Sequence, residues 1–440
     1  MAEHNGTTEQ VDVLIVGAGL AGLTAARELQ GDSRRVLVVE ARDRIGGRLW
    51  TDDRLGQHLE LGGNWMHWVQ PHVWAEVARY GLRIGRGPRS EETYWLAGDQ
   101  VRKGDLAGFM EVIDDGMERL VGTSNQILPR PDQVATSDEF KAADKLTLQQ
   151  ALDALDLDEE TRNANEAAWV GHTNAPLDEV SYSAAVRWTA ATGGKWHLMH
   201  EASAIYRLED GNDQLPNAIR ADFAGEVRLN TAVTGIRHDS TGADVTTSDG
   251  AVIRARRVVV TVPLNVLHEL PVEPALSEEK LRASRAGTAS QGLKLWIRVK
   301  GPIKPFFAYS SQAHPLSVVR TEFVGAEDAV LVAFGASGSR LDITSIEAVS
   351  DALKTWRDDL EVLELAAHNW MEDPLARETW LIQRPGEYTA SQAELQRSEG
   401  ALHFASSDWA NLWAGFFDGA IESGLKVARD IKAEPNQARA

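Results

Sequence analysis

The segment Gly17-Ala-Gly19-Leu20-Ala21-Gly22 has the G-x-G-x-x-G spacing of a loop that cradles a pyrophosphate. Gly17 permits a tight turn, Gly19 lets the backbone approach a phosphate, and Gly22 lets a helix lie close to the preceding strand. Leu20 and Ala21 open that helix, whose free N–H groups and positive dipole end attract an anion. Glu40 follows about twenty residues later, where a carboxylate can accept hydrogen bonds from a ribose. The alternative is a plain glycine turn beside a surface glutamate, and the flanking elements decide between the two.

Those elements are the ones a dinucleotide loop needs. Residues 11–16 read as a buried strand, Leu20–Leu29 as the helix after it, and residues 35–40 as a second buried strand. Strand, helix and strand in so short a span make a βαβ unit and open a parallel sheet. From 105 to 198 the apolar spacing is helical. From 226 to 263 it alternates with a period near two, punctuated by Ser240-Thr-Gly242 and Ser248-Asp-Gly250, which predicts an antiparallel meander closed by a separate buried strand over 257–262. Further strands are predicted over 293–299 and 330–334, an amphipathic helix over 346–360 and a last helix over 419–431. Parallel-strand signals at both ends of a mixed middle predict interleaved domains.

The composition removes several kinds of chemistry. The chain has no cysteine among its 440 residues, which excludes disulfides, thiol nucleophiles, cysteine-ligated metals and cysteinyl links to a cofactor; no metal site is expected. Its 45 Lys and Arg against 65 Asp and Glu leave a formal charge of −20, which repels nucleic acid and anionic lipid. Residues 11–26, the longest apolar stretch, contain Asp12 and three glycines and cannot form a membrane span. The polar start of the chain resembles no leader, so the cytoplasm is the expected compartment.

Beyond Glu40, Ala41 and Arg42 lead to Gly46-Gly47-Arg48, and then to Leu59-Glu-Leu-Gly62-Gly63. With these segments the chain resembles the flavin-dependent amine oxidases, the superfamily of monoamine and polyamine oxidases. Residues 206–218 and 404–431 agree with that family's second flavin segment and its C-terminal signature. Residues 60–72 look most like the bacterial nicotine and pseudooxynicotine oxidases, and residues 290–294 and 331–334 like the hydroxynicotine oxidases. The resemblance implies a mixed α/β chain. A Rossmann-like FAD-binding domain (1–80, 205–288 and 390–432) is interleaved with a substrate domain of mixed sheet and helices (81–204 and 289–389), ahead of a disordered tail, 433–440. It also implies that Gly47 and Arg48 wrap the FAD pyrophosphate. Gly62, Gly63, Asn64 and Trp65 pass the flavin ring, Asp408 and Ala420 approach it from the C-terminal segment, and Val233 adds a further contact.

Lys294 carries two opposed expectations. Alternation along Gly292-Leu-Lys294-Leu-Trp296-Ile-Arg298 places it with Trp296 and Arg298 on a face that periodicity alone assigns to solvent. The resemblance instead makes it the lysine that holds a water near flavin N5, where its charge would favour oxygen reduction. By the same resemblance Trp380 and Phe416 flank the amine, with phenylalanine where tyrosine is usual, and Trp65, His67, Asn174 and Trp413 are candidates for the pocket wall. The implied reaction is hydride transfer from the amine α-carbon to non-covalent FAD, hydrolysis of the imine, and reoxidation by O2 to hydrogen peroxide. The expected partners are a small amine and O2, with a homodimer as the assembly considered. An L-amino-acid oxidase is disfavoured, because Asn64, Trp65 and Met66 stand where its relatives place an arginine. An amine dehydrogenase with a protein acceptor, or a flavin- or NAD-binding module with a structural or regulatory role, completes the alternatives.

Overall fold

The computed structural model describes residues 9–32 and 34–434. The continuous apolar runs near the start form the strands Glu9–Val16 and Val36–Val39, which pair in parallel around the helix Leu20–Leu29. Apart from Glu9, Gln10 and Asp12 they are apolar, because both faces of their sheet are covered. Val13, Ile15 and Val38 pack towards Leu20–Leu29 and the final helix Phe417–Ala433, while Leu14, Val16, Leu37 and Val39 pack on the other side.

This first sheet has eight strands. Glu9–Val16 lies between Val36–Val39 and Val252–Val260, the edge strand Glu226–Arg228 pairs in parallel with Val36–Val39, and Leu402–Phe404 returns from the far end of the chain. Two expectations are corrected here. Glu226–Arg228 is not part of the meander, which comprises Val233–His238, Ala243–Thr247 and the first half of Val252–Val260. The separate strand expected over 257–262 is the second half of that same long strand. Its hydrophobic pattern changes because its neighbour changes, from an antiparallel strand to the parallel Leu402–Phe404.

The second sheet has seven strands, with Leu293–Lys300 between Val362–Ala367 and Asp328–Gly335, and Glu92–Ala97 joining through Phe306–Tyr309. Helices between 106 and 202 build a separate apolar cluster with residues of this sheet. The chain is thus a mixed α/β fold in which segments of the two sheets alternate along the sequence. The helix predicted to reach 360 is Ile346–Leu353; beyond it Trp356 turns inward, its indole N–H donating to the Tyr309 carbonyl at 3.3 Å. The last helix extends to Ala433, so Ala433 is helical rather than tail. Glu434 accepts from Arg257, and 435–440 lie outside the described residues. No helix among the described residues is long and apolar enough to cross a membrane.

Candidate active site

A cavity of about 340 Å3 runs from the first glycine loop to a group of aromatic side chains at the junction of the two sheets. That is an ordinary volume for a small-molecule site. At the loop end, Gly19 and Gly46 face each other as a parallel bridge, and the Gly46 N–H donates to the Ala18 carbonyl at 2.9 Å. Gly22 does not reach the cavity. A Cβ there would sit 2.1 Å from the Gly17 carbonyl oxygen, so its role is the close helix–strand packing the motif predicts. The helix after the loop has no side-chain cap, which leaves its first N–H groups open to an anion.

Glu40 is buried at the end of the second strand. One carboxylate oxygen accepts from the Ala18 N–H at 2.7 Å and the other from the Arg42 N–H at 2.9 Å. Each oxygen keeps a lone pair for a further donor. Ala41, Arg42, Gly47, Arg48, Gly62, Gly63 and Val233 line the same cavity, as do Gly17, Gly19, Leu20, Ala21 and Ala420. Further along, both polar atoms of the Asn64 amide and the indole N–H of Trp65 are buried without a partner beside the cavity. Buried polar groups are seldom left so, and a polar flavin edge would satisfy them. The glycine cradle, Glu40 and these orphaned atoms fit FAD. Glu40→Ala is expected to weaken flavin retention severalfold or more, by removing hydrogen bonds of about 1 kcal/mol; the flavin-to-protein absorbance ratio after extended dialysis measures it.

Asp408 lies elsewhere than expected. It is fully buried and does not line the cavity; it accepts from Arg48 at 2.7 Å, from Ser406 Oγ at 2.9 Å and from the Leu264 N–H at 3.1 Å. Its contribution is to hold Arg48, which does line the cavity. Glu378, also fully buried, accepts from the other guanidinium nitrogen at 2.5 Å.

At the aromatic end, Trp65, Phe334, Trp380 and Phe416 form the walls. Phe334 lies 5.7 Å from Trp65 and 6.4 Å from Trp380, centroid to centroid. Gly415, with φ +82°, brings the Phe416 segment against Leu381, where a Cβ would be only 3.2 Å from backbone atoms. Lys294 is buried, not solvent-facing. Its Nζ donates to the carbonyls of Glu60 at 2.5 Å and Gly62 at 2.8 Å, and the Trp296 indole N–H donates to Glu60 O at 3.0 Å. Burial draws the Lys294 pKa down, to about 7, against the opposing pull of Glu60 and Glu322. Burial likewise raises Glu60, whose carboxylate accepts from the Asn212 N–H and from Thr51 Oγ1.

Three pocket candidates stand outside the cavity wall. His67 is fully buried, its backbone N–H donating to Gln70 Oε1 and its ring centre 3.7 Å from that of Trp68, the planes tilted by 35°. Asn174 ends the helix Glu159–Thr173 in a left-handed conformation and packs against Gly292, where a Cβ would lie 2.3 Å from its side chain. Trp413 sits behind Phe416, edge to face at 5.3 Å. Conversely, Phe334, His172 and Ser203 line the cavity without having been singled out. Phe334 was within reach of sequence reasoning, since it pairs directly opposite Lys294. His172 was not, because nothing in a helical pattern shows where its last turn points. His172 and His200 lie 3.1 Å apart, and burial above all holds both below the ordinary histidine range, His200 at about 4.

One cluster, His72, Asp418 and Glu422, has ligand atoms close enough to hold a cation. Its carboxylates are already used: Asp418 accepts from the N–H groups of His72 and Val73, and Glu422 from those of Asn411 and Leu412.

The family model described as flavin containing amine oxidoreductase matches residues 20–432. A pseudooxynicotine dehydrogenase of Pseudomonas sp is 35% identical over 427 residues, covering 96% of this chain and 86% of that protein. A nicotine dehydrogenase of Pseudomonas putida is 32% identical over 428 residues, covering 96% and 88%. A solved structure of putrescine oxidase bound to putrescine shares the fold, with a TM-score of 0.84 at 23% identity over 97% of this chain and 100% of that one. The resemblance carried by the glycine motifs therefore holds, and this chain belongs to the flavin-containing amine oxidoreductase family.

Proposed function

We propose that the chain oxidises a small amine at the aromatic end of the cavity, with FAD held non-covalently along the remainder. The observation that supports this most is the continuity of one cavity from the Gly19–Gly46 cradle to Trp65, Phe334, Trp380 and Phe416, with buried Lys294 on its wall. FAD in that position supplies an acceptor for the hydride on the carbon next to the amine nitrogen and a route for the electrons to oxygen. The residues do the rest. The aromatic walls exclude water and orient the amine; Phe416, lacking a hydroxyl, serves by shape alone. Glu40 is the one carboxylate on the cavity wall among the described residues, and it belongs to the opposite end. Nothing anionic on the wall therefore holds the amine protonated, and a free base is what hydride loss requires. The imine product is hydrolysed by water.

The first sheet, drawn from segments within 1–80, 205–288 and 390–432, is assigned to the flavin, and the second, from within 81–204 and 289–389, to the substrate. An amino-acid substrate is disfavoured, because the arginines on the wall are committed, Arg42 to Asp373 and Arg48 to Glu378 and Asp408. The absence of cysteine excludes a cysteinyl–flavin bond. Oxygen is the acceptor in this reading. A second reading, with another electron acceptor, is favoured by the names of the two relatives, both dehydrogenases.

The test is anaerobic addition of nicotine-like, cyclic and arylalkyl amines to the yellow protein, followed by admission of air. At least one amine is expected to bleach the colour, air to restore it with release of peroxide, and acid to free the flavin intact. No bleaching by any amine would overturn the reading. Slow recovery in air would favour the second acceptor, and flavin retained on the denatured chain would contradict non-covalent binding.

A further inference from the structure

An aromatic box ordinarily attracts a cation to the faces of its rings. Two of the walls here already carry a cation from the protein. Arg320, on the strand Val318–Val324, does not line the cavity, and its guanidinium carbon lies 5.1 Å from the ring centre of Trp65, which does. Lys294 Nζ lies 6.0 Å from the ring centres of both Trp65 and Phe334. Arg320 is only 6% exposed and is fixed on three sides. It donates to the Ala204 carbonyl at 2.5 Å, packs over Phe307 at 4.9 Å, and holds its Nε 2.9 Å from Glu322.

Glu322 is 1% exposed and neither of its oxygens accepts a well-formed hydrogen bond, although Arg207 Nε approaches to 3.8 Å. The charged groups packed behind this end are therefore Lys294, Arg207 and Arg320 against Glu60 and Glu322. Arg86 lies beyond them over Tyr206, and Glu201 beside His67. Cations outnumber carboxylates there, and His172 and His200 are held neutral, the latter partly by Arg320 itself.

We propose that Arg320 is a specificity-determining residue: from behind Trp65 it makes the aromatic end of the cavity admit an amine as its free base and reject the ammonium. The proposal rests on the reading of that end as the amine subsite. Arg320 acts through Trp65 and touches no reacting atom, so it is a positioning residue. An aromatic box of this kind would otherwise favour the cationic form that cannot lose a hydride.

The test is equilibrium binding of benzyltrimethylammonium and its uncharged isostere neopentylbenzene to the flavin-loaded protein, read from the perturbed flavin absorption. The native protein is expected to prefer the neutral probe. Arg320→Met should reduce that preference by about tenfold, the effect of one buried charge acting at this range, and Arg320→Lys should retain most of it. Glu322→Gln leaves Arg320 without its counter-charge and should strengthen the preference. These opposite shifts cannot come from loosened packing, and Glu322→Gln alone decides the matter if Arg320→Met does not fold. An unchanged preference, or shifts of the same sign in Arg320→Met and Glu322→Gln, would overturn the proposal. Failure of the amine-subsite reading shows differently: neither probe would then compete with an amine that bleaches the flavin, and the proposal falls with it.

Discussion

Arg48→Met is expected to destabilise the protein by about 3–5 kcal/mol, the usual result of removing one partner from a buried ion pair. Arg48 holds two carboxylates that are themselves fully buried, Glu378 at 2.5 Å and Asp408 at 2.7 Å, and its small remaining exposure is to the cavity it lines. One guanidinium cannot balance two ionised carboxylates in a dry interior. Burial pushes both upward, but Arg48 outweighs it at Asp408, which is held below its ordinary value. At Glu378, burial and then the Asp408 charge drive the pKa well above the ordinary range. Glu378 therefore holds its proton more tightly than Asp408 does.

The two shifts have opposite consequences for stability. Between the unfolded and folded pKa values of Glu378 the native state binds the extra proton, so this group's contribution declines as pH rises from the ordinary glutamate range towards its raised folded value. For Asp408 the contribution is present above the ordinary aspartate range and is lost as pH falls towards its lowered folded value. Glu378→Gln keeps the shape and removes the proton linkage. It should be at least as stable as the parent at neutral pH, with an advantage that grows on the alkaline side. Urea unfolding of the three proteins across pH measures both effects. A loss below about 1 kcal/mol in Arg48→Met, the level of an exposed pair, would show that the carboxylates are not dependent on it.

The parts of this fold that could be read in the sequence are those whose pattern has one physical cause. Residues 13–16 are apolar throughout because the strand is covered on both faces, and the glycines at 17, 19 and 22 answer to distances within a single βαβ unit. Lys294 shows where the pattern has two causes. Alternation along Leu293–Lys300 correctly separates Leu293 and Leu295 from Lys294 and Trp296, but it does not say what covers the polar face. The cover is the chain around Glu60 and Gly62, whose carbonyls take the lysine protons, and that contact spans more than two hundred residues. Asp408 was placed near the flavin by its position in a motif, whereas its neighbours are set by how Arg48 and Leu264 converge on it. His172 joins the site only through the way its helix lies against the second sheet, and no local periodicity records such a crossing.

Lys294→Met is expected to divide the two halves of the reaction. The side chain keeps its reach and loses its charge and all three donors. Anaerobic bleaching by a good amine should change little, because Trp65, Phe334, Trp380 and Phe416 remain in place. Recovery of the yellow colour in air should slow by about tenfold or more, the range for losing one preorganised electrostatic contact. Trp380→Ala should do the reverse, impairing bleaching and leaving recovery nearly intact. The pH dependence adds an independent check. Burial brings the Lys294 pKa down to about 7, so the ammonium is present below neutrality and lost above it. Recovery in the native protein should therefore slow as pH rises through the neutral range, and Lys294→Met should show no such dependence. The variant also leaves the carbonyl of Gly62 without its lysine donor, so flavin content is measured alongside the rates. If the variant holds its flavin and recovers in air as fast as the native protein, then Lys294 serves only to tie the Glu60–Gly62 segment to the second sheet.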